Sequence, residues 1–121
     1  MLVVDDERSY RDLLETAFGL HEVEVVAAPN GQAALSAIAA RGSDPLLVLS
    51  DVLMPVMDGF TLARRLRDGA RRTLLVLMSG SATDQSAWPA DLREVPFMTK
   101  PFRLDRLTAW LGEARRRREA A

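Results

Sequence analysis

Leu46-Leu47-Val48-Leu49-Ser50-Asp51-Val52-Leu53-Met54-Pro55-Val56-Met57-Asp58-Gly59 is the stretch that decides the fold. It opens with a continuous apolar run, the pattern of a strand covered on both faces rather than half-exposed. Asp51 follows where the run stops. Pro55 and Asp58-Gly59 then supply turn chemistry. Beyond the turn, Phe60, Ala63 and Leu66, with Leu62 flanking, recur at helical spacing.

The same alternation extends in both directions. Upstream, Leu2-Val3-Val4 ends in Asp5-Asp6, and Tyr10, Leu13, Leu14, Ala17 and Phe18 form a helical stripe with Ser9 as N-cap. Val23, Val25 and Val26 predict a second strand. Asn30-Gly31 opens a helix with Ala34, Leu35 and Ile38 on one face, and residues 42–45 read as a loop. Downstream, the run Leu74 to Met78 ends at Ser79-Gly80, and Phe97-Met98 precedes Lys100-Pro101. Leu104, Leu107, Leu111 and Ala114 share the face of a last helix. Trp88-Pro89 interrupts the segment between the fourth and fifth strands, which predicts a short or irregular fourth helix. Strands alternating with helices imply right-handed βαβ crossovers and a parallel sheet. The expected fold is α/β: a flavodoxin-like, doubly wound, five-stranded parallel sheet of order 2-1-3-4-5 with helices on both faces.

Composition narrows the function classes. The 121 residues suit one domain. A net charge of -1 steers the chain toward neither nucleic acid nor membrane. With no cysteine there is no disulfide framework or thiolate metal site. The apolar runs are far shorter than a membrane span of about 20 residues, and no export signal opens the chain. A cytoplasmic domain without membrane contact is the expectation. Among so many arginines there is a single lysine, Lys100, which is either a place that needs a compact ammonium rather than a wider guanidinium fork or an accident of composition.

The polar residues that end the apolar runs carry the chemistry. Carboxyl ends of strands in an open parallel sheet form ligand sites where the strand order reverses. Strands one and three are neighbours at that reversal, so Asp6 and Asp51 face each other, with Ser79 and Lys100 on the far side. Clustered carboxylates repel unless a cation stabilises their charged forms. Mg2+ suits the place because it takes oxygen ligands and combines one or two carboxylates with a phosphate. Lys100 can pair with Asp51 and then with a phosphoryl oxygen, and Ser79 offers a hydroxyl donor. A carboxylate nucleophile, a divalent cation, an ammonium and a hydroxyl together make a phosphoryl-transfer site.

Over essentially its whole length the sequence resembles the receiver domains of bacterial two-component response regulators. The resemblance is carried by Leu2-Val3-Val4-Asp5-Asp6-Glu7, by Asp51 to Gly59, by Met78-Ser79-Gly80 and by Lys100-Pro101-Phe102. It implies that Asp51 is the phosphoacceptor, phosphorylated from the phosphohistidine of a histidine kinase or a histidine phosphotransfer protein. It further implies that Asp6, Asp51 and the backbone carbonyl of Leu53 bind Mg2+, with Asp5 holding metal-bound water, and that Ser79 and Lys100 grip the phosphoryl group. The family's aromatic switch falls on Phe97, which turns inward as Ser79 moves; Phe97 lacks the hydroxyl of the commoner tyrosine.

On this reading residues 1–114 are the receiver and 115–121 a basic C-terminal tail, with Arg115 to Arg118 complementing a helix dipole. The domain is a phosphoacceptor signalling module with slow self-catalysed turnover rather than an enzyme. Direct nucleic-acid binding is not expected, the downstream target is unspecified, and phosphorylation can be linked to dimerisation. A free-standing regulator and a receiver from a hybrid sensor kinase both stay open. So do a non-phosphorylated pseudo-receiver acting as an interaction module and an aspartate-nucleophile phosphohydrolase, although the latter wants an acid where Leu53 stands. Asp58-Gly59 is read as turn chemistry alone, His21 as a solvated loop residue, and Trp110 as packing at the edge of the core. A sharper expectation joins Trp110, Phe97 and the Trp88 segment in a partner surface that changes on phosphorylation.

Overall fold

Strand β3 (Leu47–Asp51) lies at the centre of the sheet, with Leu47 to Ser50 fully buried, as its unbroken apolar run requires. The computed structural model describes residues 1–19, 23–42, 44–69, 72–79, 88–100 and 104–120. Around β3 these residues form β1 (Leu2–Val4), α1 (Arg8–Gly19), β2 (Val26–Ala28), α2 (Gly31–Arg41), α3 (Gly59–Gly69), β4 (Leu74–Ser79), β5 (Phe97–Thr99) and α4 (Leu104–Ala120). The five strands pair in parallel in the order β2-β1-β3-β4-β5.

Strand periodicity divides the core into two layers. Leu47 and Leu49 point to the face covered by α1 and α4, where they meet Leu14, Phe18, Leu107 and Leu111. Val48 points the other way, to Ala34 of α2 and to Leu62 and Leu66 of α3. Each such leucine or valine, fully buried, contributes about 1.5–3 kcal/mol relative to exposure. These two layers hold the strand ends, and therefore the site, in register.

Local chemistry sets the element boundaries. The Asn30 side chain accepts from the Ala33 N–H (2.8 Å), and Gly42 closes α2 in the left-handed region at φ 70°. Asp58 caps α3 through the Thr61 N–H (2.8 Å). Helix α1 begins at Arg8, so Ser9 lies in its first turn rather than at its cap, and the Glu7 carbonyl accepts from Tyr10 and Arg11. Leu13 is 57% exposed, off the buried stripe predicted for it. Strand β2 lies later than the valine run suggests, because Leu2 and Val3 pair with Val26 and Ala27. Val23 and Val25 instead pack half-buried at the core margin.

The crossover between β4 and β5 holds a single 3-10 turn, Ala90–Leu92, among its described residues. The part of the predicted irregular fourth helix within residues 80–87 lies outside the described residues, as does His21. Helix α4 runs on through residue 114, so 115–120 are its last turns. Arg118 is not a solvated end: its Nη2 donates to the carbonyls of Asp44 (3.3 Å), Pro45 (3.0 Å) and Arg72 (3.2 Å), tying α4 to the loops that feed β3 and β4. Among the described residues no helix is long and apolar enough to cross a membrane.

Candidate functional site

At the carboxyl end of β1, Asp5 is fully buried and held on every side. Its backbone N–H donates to the Ala28 carbonyl (3.1 Å), and its Oδ1 accepts from the Glu7 N–H (2.9 Å). The Arg11 guanidinium donates to its carbonyl (2.8 Å). The next residue, Asp6, is exposed. One strand over, Asp51 ends β3 with its side chain 14% exposed. Carboxylate oxygens of Asp5, Asp6 and Asp51 all lie within 4.8 Å of one another. This is the rim where the strand order reverses, between β1 and β3.

Lys100, just past β5, closes the cluster. Its backbone N–H donates to the Ser79 carbonyl (2.7 Å), and its Nζ bridges Asp5 Oδ2 (2.5 Å) and Asp51 Oδ2 (3.1 Å). Pairing with Asp51 was expected; the shorter contact to Asp5 was not. Ser79, buried at the end of β4, lies one residue beyond the Met78 that pairs with Asp51. Asp5, Asp6, Asp51 and Lys100 are thus gathered in one cluster, with Ser79 on the adjoining strand end.

The electrostatics depart from a simple ion pair, which would lower the carboxyl's pKa. Burial pushes the Asp51 carboxyl up, and the Asp5 charge adds to this; the Lys100 hydrogen bond offsets them only in part. For Lys100, burial works downward, but hydrogen bonds to Asp5 and Asp51 outweigh it and the pKa ends raised. Three carboxylates facing one ammonium form an oxygen-rich, under-neutralised site. The donor set fits a hard divalent cation such as Mg2+.

The loop after Asp51 is tightly determined. The Val52 N–H donates to the Met78 carbonyl (2.9 Å), and the Val52 carbonyl accepts from the Gly59 N–H (2.8 Å). A Cβ on Gly59 would stand 2.3 Å from the Asp51 carbonyl oxygen and 2.9 Å from Val52 Cα. Gly59 therefore lets α3 abut the strand end that carries Asp51, a role that the turn reading of Asp58-Gly59 missed. Val56 adopts φ 70°, the left-handed region, and is 80% exposed. Leu53 is 78% exposed.

Phe97 sits one strand beyond Ser79 and meets Trp88 edge-on at 5.2 Å between centroids; Phe60 also meets Trp88 edge-on at 5.2 Å. Trp88 is only 3% exposed, so its side chain belongs to the core and cannot itself form the expected partner surface. Trp110 is half-buried against the core layer of α4. A groove of about 650 Å³ floored by Leu66, Leu74 and Val95 lies at the opposite ends of the strands and shares no residue with the acidic cluster.

A model of the family described as the response regulator receiver domain matches residues 1–111. This chain belongs to that family. The receiver is 39% identical over 109 residues to the regulatory protein AtoC of Escherichia coli, covering 88% of this chain and 23% of AtoC. It is 32% identical over 118 residues to the response regulator MprA of Mycolicibacterium vanbaalenii, covering 97% of this chain and 50% of MprA. The chain therefore spans half or less of the length of these relatives. Among solved structures, the receiver domain of NtrX from Brucella abortus superposes with a TM-score of 0.79 at 32% identity, covering 99% of this chain and 98% of that one. The Thermotoga maritima response regulator TrrA, in complex with Mg2+-BeF, gives 0.78 at 26%, covering 93% and 96%. Receivers are signalling modules of two-component systems rather than conventional enzymes. They interact with histidine kinases and bind Mg2+ at an acidic cluster of the kind formed here by Asp5, Asp6 and Asp51.

Proposed function

We propose that Asp51 is a phosphoacceptor, taking a phosphoryl group from the phosphohistidine of a histidine kinase or phosphotransfer protein. The observation that carries the reading is the convergence of Asp5, Asp6, Asp51 and Lys100 at the sheet's reversal point, with Asp51 the carboxylate on the central strand. Its oxygen bonds to phosphorus as the P–N bond breaks, and the imidazole keeps that electron pair and takes up a proton. Asp6, Asp51 and the Leu53 carbonyl would hold Mg2+, with Asp5 orienting a metal-bound water. When bound, the ion neutralises charge on the phosphoryl oxygens. Lys100 holds one such oxygen with its ammonium and Ser79 another with its hydroxyl.

The switch assigned to Phe97 then acts against Trp88: as Ser79 is drawn toward the phosphoryl group, Phe97 turns inward and its edge-on contact with Trp88 changes. Leu53 carries no group to orient an attacking water, so the acyl phosphate is long-lived. The proposed receiver is residues 1–114, and its partners are a histidine kinase or histidine phosphotransfer protein and a downstream protein target. The test is incubation with Mg2+ and a small acyl-phosphate donor, read by intact mass. The wild type gains one phosphoryl mass and Asp51→Asn none; equal gains in both would remove Asp51 from its role.

A further inference from the structure

The Lys100 ammonium has a third neighbour besides the two carboxylates. The ring of Tyr10 lies with its centroid 4.2 Å from Nζ, well inside the range of about 6 Å over which an aromatic face attracts a cation. The Lys100 side chain is only 7% exposed, so the ring stands where water would otherwise solvate the charge. Tyr10 is also fixed in relation to the acidic cluster. It lies in the first turn of α1 and donates its N–H to the Glu7 carbonyl (3.1 Å), while the Glu7 N–H is bound to Asp5 Oδ1. Arg11, the next residue, donates to the Asp5 carbonyl. The turn that presents the ring is therefore bonded to the same aspartate that holds the ammonium.

We propose that Tyr10 is a positioning residue whose ring face holds the Lys100 ammonium in place for the phosphoryl group. In its kinetic part this rests on Asp51 being the phosphoacceptor. When an Asp51 oxygen becomes bonded to phosphorus, the carboxylate loses its charge and Lys100 must turn to a phosphoryl oxygen. The ring is neutral and keeps its attraction through that exchange. Without it, a point charge on a flexible four-carbon stem spreads over more orientations, and less of the population is poised to bind.

The full chain with its single lysine makes the test direct, because one ε-methylene signal in a carbon–proton correlation spectrum belongs to Lys100. That signal is expected to show an upfield ring-current displacement in the wild type and in Tyr10→Phe, and to lose it in Tyr10→Leu. Phosphorylation by a small acyl-phosphate donor at saturating Mg2+ is expected to stay within about twofold of wild type in Tyr10→Phe and to slow about three- to tenfold in Tyr10→Leu. An ε-methylene shift unchanged in Tyr10→Leu would overturn the proposal. So would a Leu variant as fast as wild type, or a Phe variant as slow as the Leu variant. A wild type that takes up no phosphoryl group would overturn the reading of Asp51 and this kinetic role with it, while the spectrum would still decide the ring contact.

Discussion

Gly59→Ala puts the geometry of the strand end that carries Asp51 under a defined load. The new Cβ would lie 2.3 Å from the Asp51 carbonyl oxygen, 2.9 Å from Val52 Cα and 3.1 Å from the Asp51 carbonyl carbon, where ordinary contact begins at 3.4 Å. All three atoms are backbone, and Val52 is hydrogen-bonded both to Met78 and to Gly59, so no flexible side chain can yield. Overpacking of this kind costs about 1–3 kcal/mol, and unyielding backbone places it at the upper end. The better helix propensity of alanine returns at most about 1 kcal/mol. A net loss of about 2 kcal/mol lowers the melting temperature of a domain this size by about 6–10 °C. Gly69→Ala, where the Cβ meets nothing within 4 Å, is the control and is expected to be neutral or mildly stabilising. The assay is urea and thermal unfolding of both variants, with the acyl-phosphate reaction run alongside. Because relief of the clash displaces Asp51, the proposed acceptor, Gly59→Ala is also expected to take up a phosphoryl group more slowly. A Gly59→Ala variant as stable as Gly69→Ala would refute the close approach on which the reasoning stands.

Three further outcomes follow from the same structure. Because the folded state raises the Asp51 pKa above its ordinary 3.8, its contribution to stability is full below that value and is lost as pH rises through the folded pKa. Metal-free Asp51→Asn is therefore expected to melt higher than wild type at neutral pH, with the gap closing on acidification; a lower melting point at neutral pH would contradict this. Val56 is β-branched, exposed and left-handed, so Val56→Asn should gain about 1 kcal/mol in denaturant titrations, and a loss would show that φ 70° carries no strain here. Arg118→Ala removes a charged donor from three carbonyls and should cost about 1–3 kcal/mol in thermal unfolding. The exposed Arg116→Ala should cost about 0.5 kcal/mol or less, and equal effects of the two would dissolve the distinction.

Much of this architecture was legible because periodicity reports burial. The unbroken run before Asp51 demanded a strand covered on both faces, and the stops of successive runs fell on one rim because parallel strands all end there. The acidic cluster follows from that rule alone. What escaped the sequence depends on contacts between distant segments. Nothing local says that Lys100 approaches Asp5 more closely than Asp51, since the pairing spans nearly the whole chain. Leu13 fits a helical stripe yet lies on its solvent side, because a stripe five residues wide overruns the face that α1 presents to the sheet. Asp58-Gly59 satisfies a turn so well that the close approach at Gly59 is hidden behind it. Trp88, beside a proline in a broken segment, suggests surface; it is buried by residues of other elements, among them Phe60, Leu77 and Phe97.

The central claim is that the phosphoryl group resides on Asp51. Borohydride reduction of the phosphorylated chain converts an aspartyl phosphate to homoserine, and peptide mass spectrometry then locates the altered residue. Homoserine at position 51 alone is the expected result. Its appearance at position 5 or 6, or its absence after verified phosphoryl uptake, would contradict the assignment.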